Sequence, residues 1–266
     1  IIGIDNLNSY YDVKLKKKRL QNLKIKKNFV FKKLDINNQK DIIKIFIKHR
    51  FDRVIHLAAQ AGVRYSIKNP DSYISTNING FYNLLKESKD NNVKHFLFAS
   101  SSSIYGGIKK MPLFENINTD EPLSLYAASK KSNELIAYSF SNLYKLPITG
   151  MRFFTVYGPY GRPDMAIYKF VDKIIRNKEI ELYNYGNNYR DYTFVDDVTL
   201  SIEKLTSKIP KKKVPYNVVN IGNEKPIKTK KLVSIIASNL KIKPIVNLTK
   251  PMQGDVVITH ASTKKL

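Results

Sequence analysis

Tyr126 and Lys130, in the run Tyr126-Ala127-Ala128-Ser129-Lys130, have the residue types and the spacing needed to take a proton from an alcohol. On a helix, positions i and i+4 share a face, so the phenol and the ammonium project side by side. A free tyrosine titrates near 10, and only about one in a thousand is phenolate at pH 7. A neighbouring ammonium favours the anion, which would make Tyr126 a base and Lys130 the cation that lowers its pKa. The spacing alone equally describes a half-buried helix tyrosine beside a surface lysine. Context separates the two readings. Upstream, Phe96-Leu97-Phe98-Ala99-Ser100-Ser101-Ser102-Ser103-Ile104-Tyr105-Gly106 runs an apolar strand into a cluster of hydroxyls. The carboxyl ends of strands are where open α/β sheets place ligands. Hydroxyls there can bond both a substrate alcohol and the base that deprotonates it, although a serine-rich turn would look the same.

These residues need a scaffold, and the hydrophobic pattern supplies one. Short apolar runs, Ile1 to Asp5, Val30 to Leu34, Arg53 to Ala58, His95 to Ser100 and Ile148 to Phe153, alternate with helical patterns over Asn38 to His49, Ser72 to Asn91 and Ser124 to Leu143. This alternation is that of βαβ units and predicts a doubly wound parallel α/β sheet. After about residue 155 the pattern changes: Gly158, Pro159, Gly161 and Pro163 form a loop. Helices over Met165 to Asn177, Val195 to Lys204 and Thr229 to Asn239 follow, mixed with short strands Ile180 to Tyr183, Asn217 to Ile221 and Pro244 to Leu248. The expected organisation is therefore a nucleotide-binding part, residues 1–155, and a smaller mixed α/β substrate part, residues 156–266, whose strands are free to return to the main sheet.

The opening Ile1-Ile2-Gly3-Ile4-Asp5-Asn6 has the look of a buried strand ending in the acid that holds a dinucleotide ribose. The glycine-rich phosphate turn belongs roughly twenty residues before such an acid, and none of the eleven glycines supplies G-x-G-x-x-G elsewhere. Either Asp5 is an ordinary turn acid, or the first strand and its turn precede the chain and the protein as given is weakened in stability and NAD binding.

Composition narrows the classes. With no cysteine there are no disulfides, thiolate metal sites or cysteine nucleophile, which suits a cytoplasmic setting. His49, His56, His95 and His260 lack metal-ligand spacing, so no metal is expected. No apolar run approaches the length of a membrane span. The net charge of +24 invites a nucleic-acid partner, but the lysines are spread over nearly every segment without a recognition motif. Nucleic-acid binding therefore stands as the different-class alternative, and an inactive fragment as another.

Gly3-Ile4-Asp5-Asn6, His56-Leu57-Ala58-Ala59, Ser101 with Tyr105-Gly106, Tyr126-x-x-x-Lys130 and Arg152-Phe153-Phe154-Thr155-Val156-Tyr157-Gly158 occur in order along essentially the whole chain. Together they resemble the extended short-chain dehydrogenase/reductase family, in its NAD-dependent sugar-nucleotide epimerase/dehydratase branch. Asp5 to Asp12, Ala59 to Ser66 and Gly158 to Ala166 look like UDP-glucuronate 4-epimerases.

The resemblance implies a Rossmann sheet, a tightly bound NAD, a UDP-sugar substrate and a homodimer. It implies Tyr126 as catalytic base, Lys130 as its pKa-lowering neighbour on the nicotinamide ribose, and Ser101 as the hydroxyl sharing the substrate proton. Asp5 and Asn6 would meet the adenosine ribose, Asp35 and Ile36 the adenine edge, and Leu57, Ala58, Ala59, Asn77 and Phe153 the rest of NAD. Arg190 would meet the nucleotide diphosphate and Asp255 the uridine side. Ser102 and Ser103 stand where related dehydratases carry an acid, so reversible 4-epimerisation is the simplest chemistry. A buried sugar carboxylate needs a cation and donors; Arg162, with Thr155, Ser102 and Ser103, is expected to supply them, unless Arg162 only pins its loop. A neutral UDP-hexose epimerase and a sugar-nucleotide dehydratase are the same-class alternatives.

Overall fold

The computed structural model describes residues 1–252 and 255–266. Its first half alternates strands and helices: β1 (Ile2–Asp5), α1 (Val13–Lys24), β2 (Val30–Lys33), α2 (Gln39–His49) and β3 (Arg53–His56). The short helices α3 (Tyr65–Lys68) and α4 (Asp71–Tyr73) follow, then a π-helical run Ile74–Gly80 that leads into α5 (Phe81–Asp90). Next come β4 (His95–Ser101), a 3-10 turn Ser102–Tyr105, α6 (Leu125–Tyr144) and β5 (Ile148–Phe153). The second half adds β6 (Thr155–Tyr157), α7 (Ala166–Ile175), β7 (Ile180–Leu182), β8 (Tyr189–Phe194), α8 (Val195–Ser207), β9 (Tyr216–Ile221), β10 (Pro226–Lys228), α9 (Thr229–Leu240) and β11 (Val246–Leu248).

The expected parallel α/β architecture is present. A four-stranded parallel sheet runs β3-β4-β5-β9, and a parallel pair β1-β2 lies apart from it. β9 comes from the later half of the chain and joins β5 in register, Met151 opposite Val219. Ile2 and Ile4 of β1 pack against the same core as Phe81, Phe96, Phe98, Ile42 and Ile148. No backbone ladder among the described residues joins β1 to β3. Ile55 and Leu57, on and just after β3, are consequently 44% and 51% exposed, unlike the fully buried Phe96, Leu97 and Phe98 of β4. Two smaller sheets, β10-β8-β6 and β11-β7, make up the rest.

Elements that the sequence pattern did not predict are α1, α3, β6, β8 and β10. α1 is rich in lysine, and Lys16 is its buried residue; the Asp12 carboxylate caps its first turn at the Lys14 amide, 2.8 Å away. β8 is polar in sequence because it carries Arg190 and Asp191. Asp191 is fully buried and accepts the backbone amides of Asn223, Glu224 and Ala261 at 2.8, 3.1 and 2.9 Å, so this carboxylate ties β8 to two other segments. Among the described residues no helix is long and apolar enough to cross a membrane.

Candidate active site

The site grows from two adjoining elements, the end of β4 and the start of α6. The strand is apolar until Ala99 and then turns into hydroxyls; Gly106 closes that turn at φ +58, and a Cβ there would stand 2.5 Å from the Glu121 carbonyl oxygen. Opposite, Ser124 caps α6 by accepting the Ala127 amide at 3.1 Å, which fixes Tyr126 in the first turn. Ser101 is buried and accepts the Ser103 amide at 3.1 Å, and its hydroxyl acts to lower the Tyr126 pKa. The ring of Tyr73 meets that of Tyr126 edge-on at 6.1 Å.

The electrostatics differ from the expectation in one respect. Burial raises the Tyr126 pKa, while the Ser101 hydroxyl and the Arg162 guanidinium oppose that rise. Lys130, expected to do this, lies on the same helix face but sends its Nζ to the Ala99 carbonyl oxygen at 2.8 Å. Its ammonium is buried, and burial lowers its pKa to about 8. The Arg162 guanidinium is the cation that opposes the rise of the Tyr126 pKa.

Sequence reasoning missed the layer beneath. One and two turns along the face that bears Tyr126 come Lys130 and Glu134. Glu134 forms a two-pronged ion pair with Arg152 of β5, Nε to Oε1 at 2.9 Å and Nη2 to Oε2 at 2.8 Å, and also accepts the Ser100 hydroxyl at 2.6 Å. Arg152 Nη1 donates to the Tyr105 hydroxyl at 2.9 Å, which donates to Asn220 of β9 at 2.7 Å. Arg152 and Glu134 are 5% and 6% exposed, so the pair is inside the protein, with its hydrogen-bonding capacity used. The legible signal was Glu134, which continues the i, i+4 face by one further turn.

The expected cofactor residues gather at the carboxyl ends of β1, β2 and β3. Asn6 donates to the Asp35 carboxylate at 2.9 Å, joining the ends of β1 and β2. The other Asp35 oxygen accepts the Asn37 amide at 2.8 Å, and Asp5 accepts the Leu7 amide at 2.6 Å. Ile36 turns its side chain into the core, leaving only its backbone for a ligand. Leu57, Ala58 and Ala59 follow β3, the first two exposed. Asn77 is buried, its amide donating to Gln60 O and Ser129 Oγ, each at 3.0 Å, and its oxygen accepting the Gln60 amide at 2.8 Å. Phe153 packs toward the β4, β5 and β9 core.

Ser102, Ser103 and Thr155, which follow the ends of β4 and β5, are half-buried. Arg162 is closed on Asp164 of its own loop, Nε to Oδ1 at 2.9 Å and Nη2 to Oδ2 at 2.5 Å. Tyr10, from the loop after β1, donates to the same Asp164 Oδ2 at 3.1 Å, and Arg19 of α1 reaches the Gly161 carbonyl oxygen at 3.1 Å. The two loops are thereby joined. Farther out, Arg190 lies within the field of Asp255, which is itself paired at 3.3 Å with Arg64, a residue not anticipated. The Arg64 guanidinium lies over the Tyr183 ring, 4.8 Å from its centroid. Gly254, part of the expected Gly254-Asp255-Val256 motif, lies outside the described residues.

A paired hydroxyl and phenol, a buried ammonium and a row of strand ends bearing acids define an alcohol-oxidising dinucleotide enzyme. The NAD dependent epimerase/dehydratase family matches residues 1–222. Protein CapI of Staphylococcus aureus is 45% identical over 280 residues, covering 100% of this chain and 84% of that protein. UDP-glucuronate 4-epimerase 4 of Arabidopsis thaliana is 44% identical over 276 residues, covering 98% of this chain and 63% of that one. The crystal structure of UDP-glucuronic acid 4-epimerase from Bacillus cereus, in complex with UDP-glucuronic acid and NAD, superposes with a TM-score of 0.92 at 30% identity, over 99% of this chain and 82% of that one. The chain belongs to the NAD-dependent epimerase/dehydratase family and has its Rossmann-type sheet. The residues present fit the cofactor: Asp5 and Asp35 offer carboxylate acceptors for ribose hydroxyls at adjoining strand ends, and the Lys130 ammonium lies near the end of β4, against the Ala99 carbonyl oxygen.

Proposed function

We propose that this protein interconverts the C4 epimers of a UDP-sugar, with UDP-glucuronate and UDP-galacturonate as the pair. The observation that carries the reading is the placement of Ser101 at the end of β4 and Tyr126 in the first turn of α6, with serines rather than an acid at positions 102 and 103. NAD, when bound, supplies the reversible hydride acceptor for C4. Ser101 would hold the C4 oxygen and Tyr126 would receive its proton, returning it after the keto sugar has presented its other face. Lys130 would hold the nicotinamide ribose from its place against Ala99. Asp5, Asn6, Asp35, the Ile36 backbone and Leu57 to Ala59 would line the adenosine side. Arg190, with Arg64 and Asp255, would take the nucleotide end of the substrate. Arg162, Thr155, Ser102 and Ser103 supply a cation and donors for the sugar carboxylate.

Purified protein supplied with NAD and UDP-glucuronate is expected to form UDP-galacturonate, resolved by chromatography and proton NMR. Release of carbon dioxide or a dehydrated sugar would overturn the reaction assigned. Tyr126→Phe should lower turnover by about 10²- to 10⁴-fold, the range for losing a positioned proton acceptor.

We also infer a homodimer. Leu135, Tyr138, Leu143 and Tyr144 of α6 are 60%, 50%, 64% and 51% exposed, and Tyr82 of α5 adds 44%. Light scattering should give twice the chain mass, and Leu135→Glu with Tyr138→Glu should halve it.

A further inference from the structure

Arg162 already holds a carboxylate, that of Asp164, and this pair is not a simple surface contact. Both side chains are about 30% exposed, at 30% and 29%. The bonds engage Nε and Nη2 together, the geometry in which a guanidinium receives a carboxylate most strongly. Tyr10 steadies Asp164 Oδ2 from the loop after β1, and burial together with the Asp164 charge raises the Tyr10 phenol to about 12, so it remains a donor at neutral pH. A run of ring contacts links the fork to the catalytic tyrosine: Tyr126 to Tyr73, Tyr73 to Tyr65 and Tyr65 to Tyr10 stand 6.1, 6.4 and 4.8 Å apart between centroids, and Tyr10 bonds Asp164.

An epimerase must present both faces of C4 in turn, and a uronate carboxylate, one carbon beyond C5, moves with the ring. A carboxylate held permanently in such a fork would resist that movement. A fork left empty would strand a half-buried cation.

We propose that Asp164 is the exchange partner of the sugar carboxylate on Arg162: the fork opens from Asp164 toward the bound uronate, and Asp164, held by Tyr10, takes it back while the keto sugar turns over. Asp164 is thus a positioning residue that sets how tightly the acidic sugar is held. The proposal rests on the reading of Arg162 as the carboxylate anchor.

The test compares NAD-loaded wild type, Asp164→Asn, Tyr10→Phe and Arg162→Ala by calorimetric binding of UDP-glucuronate and of UDP-glucose, and by kcat and KM for UDP-glucuronate. Removing a competing negative charge a few ångströms from the sugar carboxylate should tighten UDP-glucuronate roughly three- to tenfold and leave UDP-glucose unchanged. KM and kcat for UDP-glucuronate should fall together, the signature of a ground state held too firmly. Tyr10→Phe, which keeps the Asp164 charge, should shift UDP-glucuronate in the same direction by less, and serves alone if Asp164→Asn does not fold. Weaker binding of both nucleotides, weaker binding of UDP-glucuronate alone, or tighter binding with undiminished kcat would each overturn the exchange. Arg162→Ala separates the two claims. A loss confined to UDP-glucuronate upholds the anchor whatever Asp164→Asn does, whereas equal losses for both nucleotides defeat the anchor and the exchange with it.

Discussion

Lys130 is a cation held inside the protein by a single backbone carbonyl oxygen, with burial as the cause of its pKa near 8. Burying an ammonium costs folding free energy unless the charge is compensated, and here function explains why it is kept. The sign of the linkage is definite. Below about pH 8 both the folded and unfolded chains carry the proton, so the folded state bears the full penalty. Between about 8 and the ordinary lysine value of 10.5 the folded chain releases it first, so this residue makes stability rise with pH. Lys130→Met should therefore raise the melting temperature at pH 7, lose that advantage by about pH 10.5, and depress turnover throughout. Thermal melts of both proteins across that window, with turnover assays beside them, check it. A variant less stable than wild type at pH 7 would mean the Ala99 bond outweighs the buried charge. The sequence placed Tyr126 and Lys130 on one face correctly, because helical periodicity is local. It did not show where the Lys130 ammonium points, because that direction is set by a strand 31 residues away, nor that Arg162 of a different loop acts on the phenol.

At the scale of elements, α6 is held to β4, β5 and β9 by the chain Ser100, Glu134, Arg152, Tyr105, Asn220. Arg152→Met leaves the Glu134 carboxylate buried without its partner and should cost roughly 3–5 kcal/mol. Adding Glu134→Leu should recover much of that stability, since well-packed apolar pairs replace buried ion pairs at little cost. Urea titrations of the two single variants and the double test the coupling. If the chain only adds stability, the double variant should also recover turnover; if it aims Tyr126, turnover should stay low. The parallel core was readable from its apolar strands, and β4, β5 and β9 lie close to their expected limits. The network was not, since Arg152 and Asn220 read as ordinary polar residues until the sheet register brings their strands together. β8 escaped for the same reason: Asp191 supports three backbone amides that a sequence pattern cannot reveal.

Across the whole molecule, the division between β1-β2 and β3-β4-β5-β9 leaves β1 and β3 each with one edge unpaired among the described residues. Amide hydrogen exchange should therefore be faster in Ile2 to Asp5 and Arg53 to His56 than in His95 to Ser101, which is paired on both sides. Uniform protection across the three strands would contradict the division. The excess of lysine reads best as a solvated surface that draws in anionic nucleotides, an effect that salt should weaken. The central claim is that C4 is oxidised and then reduced within one site by the same returned hydride. UDP-glucuronate labelled with deuterium at C4, converted by the NAD-loaded protein in ordinary water, should yield UDP-galacturonate with the deuterium still at C4. Loss of the label to solvent would contradict it.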